Sequence, residues 1–270
     1  MQRNLRQNFD YMGRIIAISN HKGGVGKTTT VVNLTAGLAS FKRKVLAVDL
    51  DPQANLTFSF GISKVETSIY DALKGNAPLP IINVKENLDI TPSSLDLAGA
   101  EMELNAEAGR EYIFKELIEP VRDKYDYILI DCPPSLGLLT INAFTAADEI
   151  IIPIQAHFLA IKGLTKILEV ISKVKRRLNP KVEITGVIIT LYDKRKVLHR
   201  DVEETIKTYF QDKVYNTKIR ENIALAEAPA QGQDIFQYQA SSRGAEDYYN
   251  LTLEFLARHE PDFDVEIVEK

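Results

Sequence analysis

Between residues 19 and 30 the chain reads Ser19-Asn20-His21-Lys22-Gly23-Gly24-Val25-Gly26-Lys27-Thr28-Thr29-Thr30, set between two apolar patterns of different period. Before it, Ile15-Ile16-Ala17-Ile18 is an unbroken apolar run and predicts a short buried strand. After it, Val31, Leu34, Leu38 and Ala39 recur every three to four residues and predict one apolar helix face. Strand, glycine-rich loop and helix together form the setting in which backbone N–H groups cradle phosphate. Glycines let the loop curl. A helix beginning near Lys27 adds the positive end of its dipole. Lys27 offers a point charge to the β and γ phosphates, Thr28 a hydroxyl for Mg²⁺, and Thr29 a further hydroxyl for a phosphate.

Two more strands end in carboxylates. Lys44 to Val48 runs into Asp49-Leu50-Asp51-Pro52-Gln53-Ala54-Asn55. Carboxylates at the C-terminal end of a parallel strand stand at the ligand edge of the sheet. Alternation places Asp49 and Asp51 on one side if the strand persists, and Pro52 is expected to end it. Tyr127-Ile128-Leu129-Ile130 delivers Asp131, a Walker B pattern that brings a carboxylate to Mg²⁺, usually through water. Further strands are expected at 88–90, 149–153 and 184–190, with a last edge strand at 214–219. Helices are expected at 68–73, 95–104, 159–178 and 198–210, and from Ser242 onward. Gly75, Asn76 and Pro78 mark a loop. The pattern is that of an α/β fold, a mostly parallel twisted sheet with helices on both faces.

Bulk properties narrow the classes. At 270 residues and 45% hydrophobic, the chain suits one large domain with a sizeable core. The single cysteine, Cys132, excludes an internal disulfide framework and argues against an iron–sulfur cluster. It reads as a passive small residue. No run of about 18 apolar residues exists, so no membrane span is expected. Residues 1–13 are polar, with Arg3 and Arg6, and are expected to be a flexible leader; residues 260–270 are expected to be an acidic tail. The net charge of −4 is unevenly spread. Residues 162–220 carry 15 lysines and arginines against 7 acids, whereas 221–270 carry 3 against 11. A basic segment in an acidic protein points to a local anionic partner. The cations Lys173, Lys175, Arg176 and Arg177 suit either a helix C-terminus or a nucleic-acid face.

One departure in the loop is informative. The usual G-x-x-x-x-G-K-[ST] pattern has glycine where His21 stands, and Lys22 adds a lysine. The run K-G-G-V-G-K-T-T resembles the deviant Walker A signature of the ParA/MinD superfamily of dimerising ATPases. The D-x-D-P-Q-A-N run, Asp131-Cys132-Pro133-Pro134-Ser135, Asn222 to Pro229, and Ser242 to Tyr248 carry the same resemblance across about residues 14–258. It implies a single P-loop NTPase domain over 14–259, with ATP and Mg²⁺ as cofactors and a homodimer in the ATP-bound state. Lys22, Gly23, Gly24, Val25, Gly26, Lys27, Thr28 and Thr29 would bind nucleotide, and Pro229 would line the adenine pocket. Thr28, Asp131 and Asp51 would serve the metal. Lys22, Lys27 and Asp51 would be catalytic, with Lys22 reaching the partner's nucleotide and Asp51 positioning or activating the attacking water.

The branch follows by exclusion. The nitrogenase iron protein needs more cysteines, the MinD branch uses a basic C-terminal helix to reach membrane, and GTPases show N-K-x-D, which is absent here. What remains resembles the Soj-type ParA proteins. That implies a cytoplasmic, nucleoid-associated ATPase that binds double-stranded DNA non-specifically in its ATP state. With a ParB-like activator it would segregate DNA. Arg195 resembles a DNA-binding arginine of the family, and Lys196 and Arg200 could join it. The family has a second arginine where this chain has Ala224, so Lys218, Arg220 and Arg243 are candidates to compensate. Two other readings stay open: a positioning ATPase for a non-DNA cargo, and a regulatory or assembly ATPase that does not bind DNA.

Overall fold

Strands that read as unbroken apolar runs resolve into strict alternation once folded, because both faces of the sheet are covered by helices. The computed structural model describes residues 13–157 and 160–263, with backbone alone at 160–163. The strands are β1 (Arg14–Ile18), β2 (Val45–Asp49), β3 (Ile82–Lys85), β4 (Leu88–Thr91), β5 (Tyr127–Asp131), β6 (Glu149–Gln155) and β7 (Glu183–Thr190). They form one sheet in the order β3-β4-β2-β5-β1-β6-β7. Every neighbouring pair is parallel except β3 with β4. The helices are α1 (Lys27–Ser40), α2 (Asn55–Ser59), α3 (Ile69–Leu73), α4 (Leu97–Glu103), α5 (Ile113–Ile118), α6 (Leu138–Ala146), α7 (Ala160–Arg177), α8 (Val197–Phe210), α9 (Ile223–Glu227), α10 (Ile235–Gln239) and α11 (Arg243–His259).

Ile16, Ile18, Val45, Ala47, Leu129 and Ile151 face one way, into a core shared with α1 and α11. Their neighbours Ile15, Ala17, Leu46, Val48, Ile128, Ile130 and Ile150 face the other, into a core shared with α6, α7 and α8. Helix α1 exceeds the single apolar face expected of it, since every residue from Thr30 to Ala39 is buried. The reason is α11, which crosses its outer side. A Cβ at Gly37 would collide with Thr252 Oγ1, so glycine permits the close approach. The polar residues thereby buried find partners. Thr35 Oγ1 donates to Val31 O (2.7 Å), and the Thr30 hydroxyl lies 3.3 Å from the Tyr248 hydroxyl.

Three expectations need correction. Residues 214–219 form no strand. Tyr215 N donates to Val187 O and Ile219 N to Ile189 O, but between them the N–H groups of Asn216 and Thr217 turn to the Glu254 carboxylate, both at 2.8 Å. The ladder along β7 is therefore reduced to isolated bridges. Strand β2 stops at Asp49, before Pro52, because Asp51 N turns back to Asp49 Oδ1 (3.2 Å) and Ala54 N bonds Asp51 O (2.9 Å). Strand β3 carries little periodic signal, being a half-exposed antiparallel edge of four residues. The leader at 1–12, Leu159, the Ile161 side chain and the tail from Asp264 lie outside the described residues. Glu260, where the acidic tail was expected to begin, is anchored: Arg43 donates to it at 2.6 and 2.8 Å and the Tyr127 hydroxyl at 2.9 Å.

Gly37→Ala is expected to destabilise the chain by about 1–3 kcal/mol through overpacking, more than the roughly 1 kcal/mol gained in helix propensity. Adding Thr252→Ala should recover part of the loss, read by urea denaturation of both variants.

Candidate active site

Chain order reverses at β1, which lies between β5 and β6, so a crevice opens at its C-terminal end. The glycine-rich loop enters this crevice and α1 begins at Lys27. Gly24 and Gly26 adopt φ of 72° and 84°, the left-handed region that favours glycine. A Cβ at Gly23 or Gly24 would meet nothing within 4 Å, so these positions face open space. The N-terminus of α1 has no side-chain cap, which leaves its first N–H groups for an anion. The loop is held from outside the motif. Asn20 Nδ2 donates to Pro153 O (2.8 Å), Asn20 Oδ1 accepts from Lys22 N (3.1 Å), and Thr190 Oγ1 donates to Val25 O (2.9 Å). Asn20 and Thr190 carry only a weak signal in sequence, a polar residue just past an apolar strand or at its end.

The crevice is a cavity of about 600 Å³. Gly23, Gly24, Gly26, Lys27, Thr28 and Thr29 line one side, Asp51, Gln53, Asn55 and Phe58 another, and Leu225, Ala228, Pro229 and Gln233 a third. A volume in this range suits a nucleotide-sized ligand. Lys27 is buried, yet its ammonium has no hydrogen-bond or ion-pair partner among the described residues. Two expected nucleotide residues stand apart. The Val25 side chain is buried beneath the loop. Lys22 turns away from its own cavity, its Nζ donating to Gln155 Oε1 at 3.2 Å.

Thr28 Oγ1 donates to Asp131 Oδ2 at 2.6 Å, while Asp131 Oδ1 is buried without a partner. Directly opposite in register is Asp49 of β2. Burial first, then the Asp49 charge, push Asp131 well above the usual carboxylate range. Burial also pushes Asp49 up to about 7, against the bonds it accepts from Thr57 and Asp51. An orphaned carboxylate oxygen, a hydroxyl and a crowded second carboxylate fit a hard divalent cation, whose charge would relieve the repulsion. No group of three or more metal-binding side chains occurs among the described residues. Mg²⁺ keeps most of its positions for water and phosphate. Asp51 reaches the cavity from the turn after β2, its Oδ1 accepting from Gln53 N at 2.9 Å. The shared side expected for Asp49 and Asp51 is not realised, because β2 ends between them. Asp49 instead holds Thr57 of α2, through N (2.8 Å) and Oγ1 (2.6 Å).

A second groove, about 670 Å³, brings Arg195, Lys218, Arg220 and Arg243 together and adds Lys194. Lys196 and Arg200 do not line it. Arg220 is tied to Asp247 (2.6 Å) and Glu246 (2.5 Å), and Lys218 to Glu203 (2.9 Å). The Arg195 side chain is 85% exposed and pairs with Asp193 of its own loop. Lys194 and Arg243 have no ion-pair partner among the described residues. Ala224 is buried, so no charge stands there.

A phosphate loop opening α1, a magnesium-suited carboxylate at the end of β5 and a nucleotide-sized crevice at the switch point define a P-loop ATPase. Residues 13–184 match the family described as AAA domain. Over 251 residues the chain is 50% identical to the Sporulation initiation inhibitor protein Soj of Bacillus subtilis, covering 91% of this chain and 99% of that one. It is 42% identical over 252 residues to the Chromosome partitioning protein ParA of Caulobacter vibrioides, covering 91% and 94%. A crystal structure named cobyrinic acid a,c-diamide synthase, from Mycobacterium smegmatis with bound ADP and magnesium, superposes with a TM-score of 0.81 at 36% identity, covering 93% and 96%. The chain belongs to the Soj/ParA family of AAA-domain ATPases, with ATP and Mg²⁺ as its cofactors.

Thr190→Val removes a buried hydrogen bond beneath the loop, worth about 1 kcal/mol. Nucleotide affinity should fall roughly fivefold, read by titration with a fluorescent ATP analogue.

Proposed function

We propose that this ATPase dimerises around two ATP molecules, binds duplex DNA without sequence preference in that state, and drives DNA segregation with a ParB-like activator. The observation that carries the reading is Lys22, a loop lysine that avoids its own cavity and bonds Gln155 instead. A lysine so placed is available to a second copy's nucleotide. The names of the relatives, a chromosome partitioning protein among them, support segregation as the purpose.

The lining of the crevice, the Thr28–Asp131 bond and the placement of Lys22 support the following roles. Lys27 and the loop N–H groups bind the β and γ phosphates. Thr28 and Asp131 hold Mg²⁺, which when bound draws charge off the phosphate oxygens. Asp51 places the attacking water, and Pro229 packs on the base. Lys22 from the opposite subunit neutralises charge developing on the transferred phosphoryl group, a task worth roughly 10³–10⁵ in rate for an arginine finger. Residues 14–259 act as one domain. Lys194, Arg243 and Arg195, the last paired with Asp193 yet 85% exposed, supply the DNA-facing charge, with Lys218 and Arg220 held back by their carboxylates. The setting is the cytoplasm at the nucleoid, and no helix of the described residues is long and apolar enough to cross a membrane. A second reading, an assembly or regulatory ATPase without DNA, is favoured by Ala224 and by the pairing of Lys218 and Arg220, which thin the basic surface.

The test is duplex binding with no nucleotide, ADP, ATP and a slowly hydrolysed analogue across a salt series. Binding is expected only with the ATP forms, falling with salt at a slope of about 0.9 per neutralised phosphate. Arg195→Ala should lower that slope by about one contact. No binding while the ATP-bound dimer persists would favour the second reading. Lys22→Ala is expected to bind ATP but lose hydrolysis, and near-normal turnover would remove the lysine from the reaction.

A further inference from the structure

We infer that Thr57 and Ser93 are positioning residues for Asp51, joined with Asp49 in a buried hydrogen-bond ring that fixes the main chain on both sides of the Asp51 side chain. This rests on the reading of Asp51 as the carboxylate that places the attacking water.

Asp51 sits on irregular backbone between β2 and the five-residue α2. Loop backbone of this kind is mobile unless its polar groups are tied. Here both peptide groups of Asp51 are tied. Its N–H donates to Asp49 Oδ1 (3.2 Å), and its C=O accepts from Ser93 Oγ (2.8 Å). The other Asp49 oxygen accepts from Thr57 N (2.8 Å) and Thr57 Oγ1 (2.6 Å), and Thr57 Oγ1 accepts in turn from Ser93 N (2.9 Å). A hydroxyl has one proton and two lone pairs. With Asp49 ionised, Thr57 gives that proton to Asp49 and receives the Ser93 N–H, so the bonds of the ring share one consistent set of directions. Asp49 is 0% exposed, Thr57 and Ser93 1%, so water does not compete for these bonds. Ser93 comes from a distant stretch, just past β4, and the sheet delivers it through the pairing of Val48 with Thr91.

Neither Thr57 nor Ser93 lines the nucleotide cavity, whereas Asp51 does. Asp51 Oδ2 makes no hydrogen bond among the described residues, which leaves it to the cavity while the backbone behind it is held. The ring therefore acts on the placement of a carboxylate rather than on nucleotide contact. Misplacing a catalytic group by about 1 Å can lower rate by roughly 10².

The experiment measures ATPase kcat and KM for the full chain and for Thr57→Val, Thr57→Ser, Ser93→Ala and Asp51→Asn. It also follows amide exchange at residues 51–57 without nucleotide. Thr57→Val and Ser93→Ala should lower kcat about tenfold or more with KM for ATP within about twofold, and exchange at 51–57 should quicken. Thr57→Ser, which keeps the hydroxyl, should restore most of the rate. If Thr57→Val does not fold, Ser93→Ala, which removes one oxygen, decides alone. Normal kcat in Ser93→Ala while Asp51→Asn is inactive would overturn the ring and leave Asp51 in place. A raised KM with kcat preserved would also overturn it. Normal turnover in Asp51→Asn would overturn the reading of Asp51 and the ring with it.

Discussion

Two carboxylates meet side by side at the ends of two central strands of the sheet. Asp49 and Asp131 are paired in register on β2 and β5, both fully buried. Burying one charge is unfavourable, and burying two of the same sign together is more so. The surroundings of the site answer this conflict. Thr28 turns its hydroxyl to Asp131, Thr57 commits two donors to Asp49, and Lys27 leaves its ammonium without a carboxylate of its own. What remains uncompensated is Asp131 Oδ1. A cation and a phosphate complete the set, so ligand binding and fold stability are linked here: whatever binds the folded site stabilises it.

The parts of this arrangement that were legible in the sequence are those determined locally. Strand, glycines and helix follow one another without interruption from Ile15 to Ala39, and Asp131 ends a run whose apolar character is unambiguous. The family resemblance singles out Asp51, but the turn that separates it from Asp49 was not legible. It depends on where β2 stops, and that is set by Asp49's own side chain drawing Asp51 N into a turn. Residues 214–219 have good strand composition, yet Glu254 of α11 captures two of the N–H groups the ladder needed. Thr190 and Ser93 look like ordinary polar residues near strand ends, and only the tertiary fold shows what they hold.

Charge counting found the basic segment but not its availability. The excess in residues 162–220 is partly cancelled in space by Glu246 and Asp247 of α11, and Lys218 is occupied by Glu203 of the same segment. The cations at the end of α7 belong elsewhere. Lys175 pairs with Glu183, the first residue of β7, whereas the basic groove begins at Tyr192, just past the last. A strand of that length separates the two by roughly 26 Å. The α7 cations and the groove are therefore two separate basic regions, the groove lying at the nucleotide end of the sheet.

The end of α11 is bolted to the start of the fold. Arg43 and Tyr127 grip Glu260, His259 bonds Glu149, and Arg14 bonds the same carboxylate. Helix α11 also covers the outer side of α1, whose first turn carries the phosphate loop. During synthesis the ribosome releases that loop more than two hundred residues before the helix that backs it. At ordinary translation speeds of about 5–20 residues per second, the interval is roughly 10–40 s. Through that interval the side of α1 that α11 covers is without that partner. The nascent chain thus carries the whole phosphate-binding motif well before the helix that packs behind it, so the motif and its tertiary backing are made at different times.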